Sequence, residues 1–165
     1  MLCVWRRPPL QDVPSPPFAH PDGLSDLPST QLSQLQQREP PPPVVGATRR
    51  DSSGRAYVFT KTTTGWKQSA ELAGSDTASG DYFGHSVAIS STTVVVGAYR
   101  HAMLAGRTYV FTKTASSWRQ LTELKGSDTI VGAQFGRSVA ISGTTAVIGG
   151  FARSKPIGRV YVFRV

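Results

Sequence analysis

Nucleophilic catalysis needs a serine or cysteine near a histidine and an acid that orients it, and the three histidines do not form such a set. His20 lies in a proline-rich stretch, His85 is replaced by Arg137 in a second copy of the same segment, and His101 falls where the copies differ. The motifs GxSxG, HExxH, GxxxxGK[ST] and CxxC do not occur. We therefore predict no catalytic residues, and a protein that is not an enzyme.

The acidic residues and the single cysteine predict neither a metal site nor a cofactor. Asp76 and Asp81 are the nearest acidic pair, and their counterparts in the second copy are Asp128 and Ala133. An Asx-turn at Asp76 and at Asp128 explains this pattern better than a metal site. Cys3 is alone, which excludes an intramolecular disulfide and a cysteine-based metal site.

The net charge is +8, which raises the question of an anionic partner. Several basic positions recur once per repeat, as Arg55, Arg107 and Arg159 do. Such spacing favours repeated surface positions, so we expect no nucleic acid partner. A basic patch for another anionic partner stays open as the alternative.

An internal repeat contains most of these residues, apart from Cys3 and His20. Residues 54–105 align with residues 106–157 without a gap and share 28 of 52 positions, and the opening motif returns at residues 158–163. A period of this length is typical of propeller blades and other arrays, in which each unit buries its apolar face against its neighbours.

Each repeat contains four short runs that predict antiparallel strands, at residues 86–90, 93–96, 107–113 and 118–124. Two residues link the first pair, and the Gly143-Thr144 link of the next copy favours a type II′ hairpin. No segment predicts an amphipathic helix. Four strands in about 50 residues predict a propeller blade, and therefore an all-β fold.

The domain organisation follows from composition. Residues 1–43 hold 11 of the 12 prolines and a glutamine-rich stretch, and we predict a disordered tail there. Residues 44–165 are predicted to form a partial blade (44–82), a full blade (83–134) and a second partial blade (135–165), with three, four and three strands. Such a partial β-propeller exposes open sheet edges, so self-association that completes the propeller is one expected partnership.

The sequences Phe83-Gly84 followed by Gly97-Ala98, and Phe135-Gly136 followed by Gly149-Gly150, resemble the FG-GAP repeats of the integrin α-chain propeller, in a form without calcium loops. The resemblance covers roughly residues 44–165 and implies a seven-bladed architecture in which these eight residues are structural. The calcium loop for which the family is best known lies between the first two strands. The corresponding links, residues 90–93 and 142–145, contain no carboxylate, whereas Ca²⁺ needs several oxygen ligands.

Contacts with a partner are expected in the loop that varies most between the copies, residues 100–105 against 152–157. Trp66 and Trp118 are sugar-stacking candidates, although packing between blades explains them better. The candidate contact residues are Tyr99, Arg100, His101, Phe151, Arg153, Trp66 and Trp118.

The function that these observations favour is a non-catalytic scaffold for protein–protein or cell-surface interaction, with an unidentified protein or glycan partner. The alternatives are an accessory propeller of a larger secreted enzyme and a truncated fragment with no independent function. The resemblance implies an extracellular or cell-surface location. The first residues do not have the pattern of a signal peptide, and no apolar run is long enough to span a membrane.

Overall fold

The computed structural model describes residues 42–49, 51–152 and 157–165. The predicted tail, residues 1–43, lies almost entirely outside these residues. The described part contains ten strands: β1 (Val44–Ala47), β2 (Arg55–Thr62), β3 (Gly65–Leu72), β4 (Ser86–Ser90), β5 (Thr93–Ala98), β6 (Arg107–Lys113), β7 (Trp118–Leu124), β8 (Ser138–Ser142), β9 (Thr145–Ala152) and β10 (Ile157–Arg164). A short helical turn, α1 (His101–Leu104), was not predicted.

The strands form three antiparallel sheets within the described residues. Sheet 1 has the order β1-β2-β3, sheet 2 the order β4-β5-β6-β7 and sheet 3 the order β8-β9-β10. The predicted all-β fold, a partial propeller with sheets of three, four and three strands, is confirmed. The repeat extends to irregularities, because sheets 1 and 2 both shift register at the valine–phenylalanine step, at Val58/Phe59 and at Val110/Phe111.

Tight hairpins join the first two strands of each repeat, because only two residues separate β4 from β5 and β8 from β9. The first residue of each link has a positive φ, 51° at Ser91 and 55° at Gly143. A type II′ turn requires a positive φ at this position, where glycine is favoured. The φ values therefore agree with the hairpin predicted from the Gly143-Thr144 link.

Neighbouring sheets stack through two different faces of the strands. The front face of sheet 2, with Val94, Val96, Tyr109 and Phe111, shares a buried core with Ala56, Val58 and Leu72 of sheet 1. Val95 lies on the back face of sheet 2 and shares a second core with sheet 3, whose front face has Ala146, Ile148, Tyr161 and Phe163. Each front face therefore packs against the back face of the preceding sheet.

The phenylalanine of each Phe-Gly pair lies in these cores. Phe83 and Phe135 are fully buried. The ring of Phe83 lies 5.4 Å from that of Tyr109 and 6.1 Å from that of Phe111, and the ring of Phe135 lies at similar distances from those of Tyr161 and Phe163. The two aromatics of the repeated strand motif thus form one edge-on cluster with the phenylalanine.

Backbone crowding explains the glycines that follow. Gly84 and Gly136 have φ values of 84° and 82°, which favour glycine. A Cβ atom on Gly97 would lie 2.0 Å from the carbonyl oxygen of Gly136, far inside van der Waals contact. The same applies to Gly46, whose Cβ atom would meet the carbonyl oxygen of Gly84 at 1.8 Å. The strand after each hairpin therefore lies directly against the next Phe-Gly turn.

The remaining framework residues are Ala98, Gly149 and Gly150. Ala98 is fully buried in the core between sheets 1 and 2. A Cβ atom on Gly149 would meet the hydroxyl of Ser138 at 2.3 Å, and one on Gly150 would meet the carbonyl oxygen of Ala133 at 2.9 Å. Small side chains are required at these positions because the backbone and the neighbouring strand leave no room for larger ones.

Candidate binding site

A cavity of about 700 Å³ lies where the loops of sheets 2 and 3 meet. Its walls come from the residues after β5, from α1, from the turn before β8 and from the end of β9. The lining residues are Tyr99, Arg100, Leu104, Gln134, Arg137 and Phe151. Two guanidinium groups and two aromatic rings line one open cavity, and we refer to it as the arginine pocket.

Stacked rings and guanidinium groups form one wall of the arginine pocket. The ring of Tyr99 lies 4.4 Å from that of His85 and 5.8 Å from that of Tyr82. The guanidinium of Arg137 lies 5.3 Å from the centroid of the Tyr99 ring, and that of Arg100 lies 4.8 Å from the centroid of the Tyr82 ring. These distances are typical of cation–π contacts.

Positive charge dominates this wall. Hydrogen bonds from Arg49 and Arg100 hold the pKa of the Tyr82 hydroxyl below its usual value. Partial burial, and then the charge of Arg137, lower the pKa of His85. The Tyr82 shift is the one that reports a positive local potential, since such a potential stabilises phenolate, whereas burial is the larger cause of the His85 shift.

Of the seven predicted contact residues, three line the arginine pocket, three lie elsewhere in the structure and one is not described. Tyr99, Arg100 and Phe151 line it. Trp118 packs against the core between sheets 1 and 2, and Trp66 lies on β3 of sheet 1 with 54% of its surface exposed. Arg153 lies outside the described residues, and the side chain of His101 points elsewhere.

His101 is the residue for which the structure differs most from the sequence-based interpretation, which paired it with no other side chain of the chain. Its side chain is only 12% exposed, and its Nδ1 atom lies 2.9 Å from a carboxylate oxygen of Asp81. Its Nε2 atom lies 3.5 Å from Asp76. These partners lie 20 and 25 positions away along the chain, so no local pattern predicts the pairing. Both ring nitrogens face carboxylates, so these contacts hold α1 to the loop after β3.

The aspartates of the loops after β3 and β7 also have partners that the Asx-turn prediction did not include. The Tyr109 hydroxyl donates a 2.6 Å hydrogen bond to Asp76, and the Tyr161 hydroxyl donates one of 2.5 Å to Asp128. Arg159 forms an ion pair with Asp128. Each aspartate therefore joins the loop after one sheet to the following sheet.

No group of three or more histidine, cysteine, aspartate or glutamate residues in the described part of the chain is arranged to hold a metal ion. No helix among the described residues has the length and apolar character needed to cross a membrane. What the arginine pocket offers chemically is hydrogen-bond donation and positive charge beside apolar surface, which suits the binding of an anion.

Stacked antiparallel sheets of three, four and three strands, with a pocket built from their loops, define a propeller-type scaffold. The FG-GAP repeat family model matches residues 66–111 and 118–163, more than half of the chain. The protein belongs to the FG-GAP repeat family, a non-enzymatic scaffold kind whose repeats are typical of extracellular proteins. A search of curated proteins finds no match.

Proposed function

We propose that the chain is a non-catalytic interaction scaffold that extends its stack of blades by binding a second copy of itself. The observation that supports this proposal is a pair of sheet faces that are open to solvent, although their repeat equivalents are buried. One is the front face of sheet 1 and the other is the back face of sheet 3. By family resemblance, we propose an extracellular or cell-surface location.

The front face of sheet 1 has residues equivalent to those of the buried front face of sheet 2. Val45 pairs with Tyr57 in sheet 1 as Val96 pairs with Tyr109 in sheet 2. Val96 and Tyr109 are fully buried, whereas Val45 is 52% exposed. The difference arises because sheet 1 packs against sheet 2 through its back face, and its front face has no sheet against it in the described part of the chain.

The back face of sheet 3 is open in the same way. Val147 and Val162 pair with each other, as Val95 and Val110 do on the back face of sheet 2. Val95 and Val110 are fully buried, whereas Val162 is 67% exposed. Val160, two residues along β10, is 71% exposed. Exposed β-branched side chains on one sheet face are a typical association surface.

The two open faces fit each other, because every sheet contact within the chain joins a front face to a back face. Binding sheet 1 of one copy to sheet 3 of another repeats this contact between chains. Such a head-to-tail interface is heterologous and forms a ring when its rotation closes. Association also removes apolar surface from water, worth about 25 cal/mol per Å².

Light scattering after size exclusion of the full chain tests the proposal. We expect a mass of at least two copies of the 17.7 kDa chain. Val45→Lys and Val162→Lys should each shift the mass toward that of one copy. Leu121→Lys changes a side chain of similar exposure on β7, away from both faces, and should leave the mass unchanged. A mass of one copy at every concentration, with a cooperative melt, contradicts the proposal.

A further inference from the structure

We infer that the arginine pocket binds an acidic peptide segment of a partner protein. This inference rests on the proposed scaffold function and names what the scaffold holds, at a place separate from the two open sheet faces. The charge of the pocket, its walls and the positions of its lining residues in the repeat support it.

Among residues 42–49, 51–152 and 157–165, no carboxylate forms an ion pair with the two arginines of the pocket. Arg100 and Arg137 line it, and none of its lining residues is acidic. The guanidinium of Arg137 donates to the amide oxygen of Gln134 at 2.9 Å, which leaves its charge uncompensated. Asp81 is engaged elsewhere, by His101 and by the backbone N–H of Ala78 at 2.8 Å. Guanidinium groups pair with carboxylates in a fork geometry, which makes a carboxylate the matching ligand group.

The walls favour a peptide over an acidic sugar. A sugar ring stacks on a free aromatic face, but the ring of Tyr99 is already in contact with Tyr82, His85 and Arg137. Leu104 and Phe151 add apolar surface to the lining, which suits an aliphatic side chain next to a carboxylate. The cavity of about 700 Å³ lies within the usual size range of ligand pockets.

The lining residues all occupy positions at which the two repeats differ. Tyr99 corresponds to Phe151, Arg100 to Ala152 and Leu104 to Pro156, whereas Gln134 and Arg137 correspond to Tyr82 and His85. The framework glycines and phenylalanines at Phe83-Gly84 and Phe135-Gly136 are instead identical in both copies. Blade packing therefore does not account for the residue types in the pocket. The positive charge belongs to the place where sheets 2 and 3 meet and does not recur with the repeat.

The test uses NMR of the full chain with three probes. These are the blocked peptide Glu-Leu-Glu-Leu-Glu, its glutamine counterpart Gln-Leu-Gln-Leu-Gln, and digalacturonic acid as a carboxylated sugar. We expect the Nε–Hε signals of Arg100 and Arg137 to shift with the acidic peptide, with a Kd of about 1 mM. The glutamine peptide should bind at least about tenfold more weakly, since only charge distinguishes the two.

Matched double variants separate the pocket from the general charge of the chain. Arg100→Gln with Arg137→Gln should weaken binding about tenfold or more, since both fork donors are lost. Arg119→Gln with Lys125→Gln removes the same charge from exposed sites outside the pocket and should change the affinity by less than about twofold. Because Arg137 contacts Tyr99, Arg100→Gln alone is the second test, and each variant is checked by its melting curve.

Several results would overturn the inference. They are equal binding of the two peptides, equal loss in the two double variants, binding of digalacturonic acid without the peptide, or no shift with any probe. The experiments distinguish a failure of peptide binding at the arginine pocket from a failure of the proposed assembly of copies. Arg100→Gln with Arg137→Gln should leave the mass in light scattering unchanged, and a monomeric chain that still binds the acidic peptide would contradict the assembly alone.

Discussion

The hydroxyl of Tyr109 in sheet 2 donates a hydrogen bond of 2.6 Å to Asp76 in the loop after sheet 1. The same bond recurs 52 residues later, between Tyr161 and Asp128. Tyrosine and aspartate therefore occupy matched positions of the repeat, and each pair fastens one sheet to the loop of the sheet before it. This tie adds a polar contact to the apolar packing between blades.

Removing the hydroxyl tests the contribution of this tie to stability. Tyr109→Phe keeps the ring and its packing against Phe83 but removes the hydroxyl that donates to Asp76, whose other contact is with His101. We expect a loss of about 1.5 kcal/mol, in the range for a hydrogen bond to a charged group. Urea unfolding of the full chain measures it. Tyr57→Phe is the control, because Tyr57 has the same motif position without such an aspartate among the described residues, and equal losses would contradict the tie.

The same hydroxyl predicts how stability changes at alkaline pH. Burial, and then the bond to Asp76, raise the pKa of Tyr109. The unfolded chain has a phenol pKa of about 10 and therefore loses this proton first, so stability falls as pH rises through about 10. Between about pH 9 and pH 11, Tyr109→Phe should lose less stability than the original chain. Parallel losses in the two proteins, measured by urea unfolding, would refute this assignment.

Substitution of Gly97 tests how closely β5 approaches the Phe135-Gly136 turn. Gly97→Ala places a Cβ atom 2.0 Å from the carbonyl oxygen of Gly136. The two backbones must separate, and we expect a loss of about 3 kcal/mol or more. Gly158→Ala is the matched control, since its Cβ atom would meet nothing within 4 Å. Thermal melts of the two variants measure the difference, and a small effect of Gly97→Ala would show that the strand and turn can separate cheaply.

The arginines around Tyr82 should lower the pH at which its hydroxyl ionises. Hydrogen bonds from Arg49, and then from Arg100, lower the pKa of its hydroxyl. Tyr82 should therefore ionise at lower pH than Tyr109, whose pKa is raised. Arg100→Gln should move the Tyr82 pKa upward, because it removes a donor and a positive charge. NMR titration of ¹³C-labelled tyrosines measures both values, and an unchanged Tyr82 pKa in Arg100→Gln would contradict the assigned cause.

The fold was largely predictable because strand, turn and repeat are local signals. The runs at residues 86–90, 107–113 and 118–124 are strands with those bounds. The signal was clearest where apolar residues lie two apart, as Val87 and Ile89 do, and Tyr109 and Phe111. The front and back faces follow from the same alternation. The repeat then strengthened each strand prediction, because an element predicted in one copy had its equivalent in the other.

The site was only partly predictable because it depends on contacts between distant segments. Variation between the copies drew attention to Tyr99, Arg100 and Phe151, which line one pocket; their contact with a partner stays a prediction. Gln134 and Arg137 were missed, since they lie beside the Phe-Gly turn and approach only when sheet 3 packs on sheet 2. Their difference from Tyr82 and His85 was the available signal. The inward pairing of His101 with Asp81 depends on α1, whose residues Ala102 and Met103 have positive φ values that the sequence does not indicate.

Cysteine crosslinking between copies tests the central claim, the pairing of front and back faces, most directly. In a Cys3→Ser background, one sample carries Val45→Cys and another carries Val147→Cys. Val45 is equivalent to Val96 on the front face of sheet 2, and Val147 is equivalent to Val44 on the back face of sheet 1. Val96 and Val44 share one core. We predict that the mixed samples form disulfide-linked dimers between the two variants faster than either variant forms dimers alone. Equal rates in the mixed and separate samples, or no dimers at all, would contradict the head-to-tail scaffold.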